Sequence, residues 1–525
     1  MLSKEELSEL IIKQAIKENT SSEKDLISIE KKINRKYHQK FISFFKLLEI
    51  YKKLVKQKAI SPNKDLEKIL KKARIRSLSG IVAITVITKP YPCPGNCLYC
   101  PNFPNMPKSY VPNEPACMRA ELNKFDPYKQ IQTRIQTLQI NGHPTDKIEL
   151  IILGGTWSYY PKKYQKWFIK RCFDGANNKT SSNLKISQKT NESADNRIIG
   201  LTLETRPDYI DQKEIENMRA LGTTRVELGV QSLDNDVLNY NNRGHLVEDS
   251  IKATKLLKDA GFKVTYHMML NLPGSNLKKD EKMFQELFSN SDFQPDQLKI
   301  YPCSVLKEAP LYQLFLDKKY KPYTEKELID LLIKIKEKIP PYVRIIRIIR
   351  DIPSNYIVTG NKVSNLRQVI QAKMKKENKS CQCLRCREPH DISIDFKNIK
   401  LIRREYLANN GKEIFLSYED VKNNKILAFL RLRLPNEWTF PYLKNCAFVR
   451  ELHSYGIVAP LKQNNDSNVQ HKGLGNKLMI EGEKIIKEET NYNKIAVISG
   501  IGVRSYYHKL GYRLSNTYMI KKIKK

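Results

Sequence analysis

Seven runs rich in Val, Ile and Leu recur between residues 81 and 348, and they constrain the fold more than any other feature of the chain. They read IVAITVIT, KIELIILGG, RIIGLTLET, RVELGVQS, KVTYHMMLN, QLKIYP and VRIIRI. Between them lie segments with helical spacing. One of these, EDSIKATKLLKDAG, closes on Gly261, a helix stop signal. Apolar strands alternating with amphipathic helices predict a parallel sheet covered by helices. Six or seven such units fit a partial or full β/α barrel, with chemistry expected at the C-terminal ends of its strands. The stretch DGANNKTSSNLKISQKTNESADN (174–196) is rich in Asn, Ser and Lys and is expected to be a mobile surface insertion.

The flanks differ from this core. Residues 1–80 read as helical and basic, with helical apolar spacing in HQKFISFFKLLEIYKKLVKQ. That composition suits an RNA-facing domain or a solvated helical extension. After about residue 400, EIFLSYED, KILAFLRLRLP and CAFVRELHSYGIV suggest antiparallel strands. QHKGLG then leads into an amphipathic helix, followed by KIAVISG and YYHKLGY, a second domain of α+β type. Expected boundaries are 1–80, 81–375, a 376–398 linker and 399–525.

The chain carries 92 Lys+Arg against 56 Asp+Glu, a net of +36. Such a surplus favours a polyanionic partner through counterion release. An AT-rich genome, which inflates Lys, Asn and Ile, predicts the same surplus. The opening MLSKEELSEL lacks the apolar run of a signal peptide, and no stretch approaches the ~18 apolar residues of a membrane helix. A soluble cytoplasmic protein without a membrane partner is expected, whose clustered cysteines are metal ligands rather than disulfides.

KPYPCPGNCLYC holds Cys93, Cys97 and Cys100 in a loop directly after the first strand. Three thiolates leave one iron of a four-iron cluster open, whereas a structural zinc would want a fourth ligand, for which Cys117 is nearest. A second group, CQCLRCREPH, supplies Cys381, Cys383, Cys386 and His390 between the two domains. Four soft ligands in ten residues suit a closed tetrahedral zinc, with free thiols in a turn as the plain alternative.

Cys-x3-Cys-x2-Cys after a first barrel strand, with Tyr99 before the third cysteine, resembles the radical S-adenosylmethionine superfamily. The resemblance implies a [4Fe–4S] cluster that binds S-adenosylmethionine and donates the electron that cleaves it. It implies that Gly154, Gly155 and Thr156 contact the methionyl amino group, and that Glu204, Arg206, Glu227, Gln231, Arg243 and His245 stand at strand ends around the site. In the second domain, Gln470, His471, Lys472, Gly473, Leu474 and Gly475 sit at a strand-to-helix transition where backbone N–H groups would receive a pyrophosphate. The element order is similar to GNAT acetyltransferases. By that likeness Glu451, Leu452, His453 and Ser454 line an acetyl-CoA site, Leu474, Gly475 and Asn476 take the pyrophosphate, and Tyr507, with Tyr506 beside it, approaches the acyl sulfur.

A radical S-adenosylmethionine barrel followed by a GNAT domain, over roughly residues 75–520, closely resembles the Elongator catalytic-subunit family. The tight cysteine spacing suggests a stand-alone prokaryotic member that does not require other subunits. The resemblance implies an acyltransferase acting on wobble uridine 34 in the tRNA anticodon loop, with acetyl-CoA as carbon source and an external electron donor. It also implies that Lys162 contacts acetyl-CoA, and it supports a metal at Cys381, Cys383 and Cys386. Since the acetyl group must meet a radical made in the barrel, the two sites should face one another. Two rival readings are a protein lysine acetyltransferase with a regulatory barrel and a non-catalytic tRNA-binding module.

Overall fold

The computed structural model describes residues 3–37, 39, 41–70, 80–389, 396–455 and 473–524. The seven apolar runs form one parallel sheet: β1 (Val82–Ile87), β2 (Lys147–Leu153), β3 (Arg197–Thr205), β4 (Arg225–Gln231), β5 (Lys263–Leu270), β6 (Gln297–Pro302) and, after the short β7 (Val305–Leu306), β8 (Arg344–Arg347). Their order is β1-β2-β3-β4-β5-β6-β8, and β1 and β8 do not pair, so the sheet curls into an unclosed barrel. β7 pairs instead with β9 (Ile357–Thr359) in a separate ribbon. One face of each strand is apolar and packs under helices, as with Val82, Ile84 and Val86 of β1. The other face lines a polar lumen.

The segment 174–196 is not a mobile insertion. It completes the helix Lys162–Asn177 and forms a second helix, Leu184–Asn191, before β3. Its small polar side chains satisfy one another, which composition alone does not reveal. Asp174 accepts from the Ser187 hydroxyl (2.7 Å) and the Ser181 N–H (3.2 Å). Asn191 donates to Asn177 (2.7 Å) and accepts from the Ile198 N–H (2.8 Å). Buried amides paired in this way are as fixed as an apolar core.

The first 70 residues are helical, as their spacing predicts, with helices Lys4–Lys17, Glu23–Lys36, Phe44–Lys56 and Lys64–Leu70. They bury their own core of Leu7, Ile11, Ile12, Leu47, Leu48 and Tyr51. Lys52 joins this unit to the barrel through the carbonyl of Gln139 (2.8 Å).

The second sheet comprises β10 (Ile399–Ala408), β11 (Gly411–Asp420), β12 (Lys425–Pro435), β13 (Cys446–Ser454), β14 (Lys494–Val497), β15 (Arg513–Ser515) and β16 (Tyr518–Lys522), ordered β10-β11-β12-β13-β14-β16-β15. All neighbours are antiparallel except β13 and β14. β10 is a half-exposed edge strand, and its alternating charges in IKLIRREYLA hide it from an apolar-run criterion.

The two sheets are joined by buried charge. Arg431, Arg433 and Arg450 of β12 and β13 are at most 1% exposed. Arg450 grips Asp296 of the barrel with two bonds (2.6 and 2.7 Å) and Glu413 of β11 (2.9 Å). Arg433 bonds Asp259 (3.0 Å) and Glu413 (3.0 Å), and Arg431 bonds Glu451 (2.9 Å). Gly500 lies against the barrel so closely that a Cβ there would stand 1.9 Å from the carbonyl oxygen of Ile199. Removing one partner of a buried charge network strands the others. Arg450→Ala, which leaves Asp296 and Glu413 without their shared cation, is expected to cost about 3–5 kcal/mol. Urea unfolding of variant and wild type checks this.

Candidate active site

The C-terminal end of β1 runs into the cysteine loop, which is tied to its surroundings by main-chain bonds. The Leu98 N–H donates to Asn241 (3.1 Å), and the Leu311 N–H donates to Leu98 (2.8 Å). Arg243 points its guanidinium at the Cys97 sulfur (3.7 Å), while Cys93 lies against the Thr156 hydroxyl (3.9 Å). A hydrogen bond from Cys100 and the charge of Arg243 bring the Cys97 thiol down to about 4, against the effect of its burial. Cys100 is raised correspondingly by the same bond.

Around this loop the strand ends supply the expected groups. Gly154 has φ +142°, and a Cβ on it would meet the Thr88 hydroxyl at 1.7 Å, so the β2 turn admits only glycine. Arg206 is held by Asp208 (2.8 and 2.9 Å) and the Gly244 carbonyl (3.0 Å), leaving one buried guanidinium nitrogen without a partner among the described residues. The Gln231 side-chain oxygen is buried and unpartnered likewise, at a residue with φ +70°. Glu204 accepts from the Tyr110 hydroxyl (2.9 Å).

Below the mouth, charged groups fill the lumen. Glu204 lies 3.4 Å from His267, His267 lies 2.9 Å from Glu227, and Glu227 also pairs with Lys299. Arg225 pairs with Glu149 (2.6 Å) near the strands' N-terminal ends. Sequence reading passed over Tyr110, His267 and Lys299. For His267 and Lys299 the one available signal was inward parity on strands that otherwise read as apolar; Tyr110 lies in a loop and had none.

At the N-terminal end of the barrel a cavity of about 1230 Å³ is shared with the second domain. Lys147, Glu149, Arg225 and Lys263 line it from the barrel, and Glu451, His453, Ser454, Gly473, Gly475, Asn476, Tyr506 and Tyr507 from the second sheet. β13 and β14 pair only from Cys446↔Lys494 to Val449↔Val497, and β13 continues to Ser454 paired with β12 but not with β14. The strands therefore splay, and the glycine turn sits beside the opening. There Gly473 (φ +67°) starts the helix Leu474–Glu489. A Cβ on Gly475 would meet the Tyr506 hydroxyl at 3.3 Å and the Ser454 hydroxyl at 3.6 Å. Helix N–H groups, two hydroxyls and a strand edge thus converge where an acyl-pantetheine and its pyrophosphate would fit.

The radical SAM superfamily profile matches residues 88–287, and the Radical_SAM C-terminal domain profile matches residues 295–376. The tRNA uridine(34) acetyltransferase of Methanocaldococcus jannaschii is 49% identical over 468 residues, covering 86% of each chain. The chain belongs to the tRNA uridine(34) acetyltransferase family. Elongator complex protein 3 of Homo sapiens is 41% identical over 87% of this chain and 86% of its own. The solved structure of Methanocaldococcus infernus Elp3 with an N-terminal deletion (1–46) superposes with a TM-score of 0.76 at 45% identity, covering 85% of this chain and all of that one.

Membership of this family, with its radical SAM domain, implies a [4Fe–4S] cluster and S-adenosylmethionine, and the donor set fits them. The Cys97 and Cys100 thiols are hydrogen-bonded to each other and Cys93 lies beside Thr156, whereas the Cys381, Cys383 and Cys386 sulfurs all lie within 4.8 Å of one another. A single tetrahedral ion with Zn–S bonds of about 2.3 Å wants sulfurs about 3.8 Å apart, and the second triad is gathered closely enough to approach this. The radical SAM profile over residues 88–287 spans the first group. The second triad lies between the domains: Leu384 bonds Val343 next to β8 (2.9 Å), and Arg387 bonds Asn424 between β11 and β12 (2.8 Å). Among the described residues this triad has no fourth His, Cys or carboxylate ligand; His390 lies outside them, as do Gln470, His471 and Lys472.

Of the residues expected at the site, Glu204, Arg206, Gln231, Gly154, Gly155 and Thr156 lie at the cysteine end, and Glu451 to Ser454, Leu474 to Asn476, Tyr506 and Tyr507 lie at the cavity end. The two groups lie at opposite ends of the barrel strands, with the buried Glu227, His267 and Lys299 between them. Lys162 stands elsewhere. It opens the helix after β2, its ammonium engages Glu214, and it does not line the cavity.

Burial pushes the Tyr507 phenol far above its ordinary range, and burial lowers His453 to about 4, so at neutral pH both are uncharged. Burial alone would raise Glu451, but Lys263 and Arg431 outweigh it and bring the carboxyl from 4.5 down to about 2. A depressed carboxylate contributes stability that is complete above its unfolded value and is lost as the pH falls through the folded one. The contribution of Glu451 is therefore expected to fade between pH 4.5 and about 2. Urea midpoints of wild type should fall more steeply across that window than those of Glu451→Gln.

Proposed function

We propose that this protein is a tRNA uridine(34) acetyltransferase that builds the carboxymethyl group of the wobble base from acetyl-CoA. The observation that carries this reading is the pairing of a cysteine loop at one end of a barrel with an acyl-CoA-shaped cleft at the other. In this reading residues 1–80 and the barrel's basic surface hold tRNA, residues 81–375 form the radical domain, 376–398 a zinc linker and 399–525 the acetyltransferase.

Cys93, Cys97 and Cys100 would hold the cluster, and Gly154, Gly155, Thr156, Glu204, Arg206 and Gln231 would hold S-adenosylmethionine. When bound, these groups supply a 5′-deoxyadenosyl radical that activates the acetyl methyl group for bonding to C5 of uridine 34. Without side chains at Gly154 and Gly155 the backbone can approach the ligand, and the unpartnered nitrogen of Arg206 and oxygen of Gln231 await polar partners. Glu451, Leu452, His453 and Ser454 would line the acyl arm, with Leu474, Gly475 and Asn476 at the pyrophosphate. Tyr507, with Tyr506 beside it, keeps its proton and can donate it to the sulfur when the thioester is hydrolysed. Glu451, locked between Lys263 and Arg431, shapes the cleft. Lys162 is assigned to acetyl-CoA by family likeness, which requires its release from Glu214. The base to be modified must leave the anticodon stack, as single-stranded RNA readers require. The tight cysteine spacing and the family likeness support a cytoplasmic, stand-alone enzyme; no helix among the described residues is long and apolar enough to cross a membrane.

An anaerobic assay with tRNA, acetyl-CoA and S-adenosylmethionine tests the reading. Cys97→Ser should abolish both deoxyadenosine release and modified uridine while tRNA and acetyl-CoA still bind. Acetyl transfer to a peptide without S-adenosylmethionine, or RNA binding with no deoxyadenosine from wild type, would point to the rival functions. Lys162→Ala should weaken acetyl-CoA use severalfold and blunt tRNA-stimulated hydrolysis; unchanged values would remove Lys162 from the site. Cys383→Ser should lose one zinc per chain by metal analysis and lower the melting temperature, since a structural zinc contributes folding free energy directly.

A further inference from the structure

A column of aromatic rings runs from the cysteine loop to the surface. Tyr91, two residues before Cys93, stacks on Tyr160 (4.8 Å between centroids, 28°), and Tyr160 stacks on Tyr164 (5.3 Å, 22°). Tyr164 meets Trp167 at 5.6 Å and 34°. The inner rings are fixed by hydrogen bonds to the chain that feeds the loop. Tyr160 donates to the Lys89 carbonyl (2.9 Å), and the Lys89 N–H donates to Tyr164 (3.1 Å). Core packing accounts for those rings but not for the last one. Trp167 is 46% exposed on the outer face of the helix Lys162–Asn177. Lys163 and Lys166 beside it are exposed and have no acidic partner among the described residues, whereas Lys162 and Lys170 are already paired. A large aromatic left in water amid unpaired cations is the signature of an interface for an acidic partner.

Taking Cys93, Cys97 and Cys100 as cluster ligands, as in the reading above, we propose that this face docks a small acidic one-electron carrier protein. The ring column beneath it conducts the electron to the cysteine loop. Cys97 is 3% exposed, while Cys93 and Cys100 are partly exposed; a path through the rings would reach the loop from behind and leave its exposed side to the substrate. Tunnelling decays steeply across gaps between groups, and rings in contact leave few gaps. One electron leaves the carrier, which is oxidised by one equivalent, and the oxidised cluster is reduced by one. No proton moves, and the rings serve as medium without changing redox state. The same basic face could instead hold RNA phosphates. The column's termination at the cysteine loop favours the carrier, and the experiment distinguishes the two.

The full chain, reconstituted anaerobically, is mixed in stopped flow with a reduced acidic [2Fe–2S] ferredoxin as probe, or with dithionite, and bleaching of the cluster's visible absorbance is followed. Lys163→Glu/Lys166→Glu should slow reduction by ferredoxin about tenfold or more and remove its salt dependence. Trp167→Ala should slow it about tenfold at saturating ferredoxin, with Trp167→Phe close to wild type, while dithionite reduces every variant alike. Equal ferredoxin rates in all variants would overturn the proposal. So would a wild type that dithionite reduces and ferredoxin does not, or charge-reversed variants that lose tRNA binding and keep their reduction rate. If dithionite fails to bleach wild type, the cluster assignment itself falls, and the proposal with it.

Discussion

Everything functional in this molecule depends on three buried arginines at the junction of the two sheets. Arg431, Arg433 and Arg450 leave the second domain's strands and end on Asp296, Asp259, Glu413 and Glu451. Burying so many charges is costly in desolvation, and the cost is offset only when every partner is in place. The network therefore tolerates one relative orientation of the domains and penalises the rest. That orientation aligns the cleft between β13 and β14 with the barrel's N-terminal opening. Apolar packing reinforces it, since Phe415, Phe429, Phe448 and Tyr518 belong to the same core as the barrel strands.

The barrel's interior follows from this arrangement. A closed barrel of this size fills its lumen with apolar layers. Here the sheet is unclosed, and polar side chains, the Glu149–Arg225 pair and the Glu227–His267–Glu204 contacts, occupy the interior between the two ends. Glu149 and Arg225 also line the shared cavity, so the polar interior meets it there. His267 holds Glu204 at the cysteine end, where the other contact of Glu204 is Tyr110. The two cysteine groups differ in place: one is gathered at a linker that touches both domains, the other sits at the end of β1 in a loop anchored by Arg243 and Asn241.

Much of the fold was legible because it rests on local pattern. Each of the seven apolar runs is a strand, and Gly261 ends its helix with φ +82°. The cysteine spacing and the Gly154–Thr156 turn marked one end of the site, and Leu474–Asn476 the other. Periodicity and turn chemistry act over a few residues, so a sequence displays them directly. Failures came where polar groups replaced the expected apolar signal. The Asn- and Ser-rich 174–196 segment is ordered because Asp174, Asn177, Ser187 and Asn191 satisfy one another. β10 pairs along β11 although its residues alternate with charge.

The sequence by itself determined the strand order along the chain, the two cysteine groups and the glycine turns, since each depends on neighbours within about ten residues. Only the tertiary structure decided which arginines would be buried, that β13 and β14 separate after Val449, that Lys162 pairs with Glu214, and that rings from Tyr91 to Trp167 stack into one column. Those outcomes depend on contacts between residues tens to hundreds of positions apart. Their energies come from desolvation and packing in a finished interior, which no local pattern encodes.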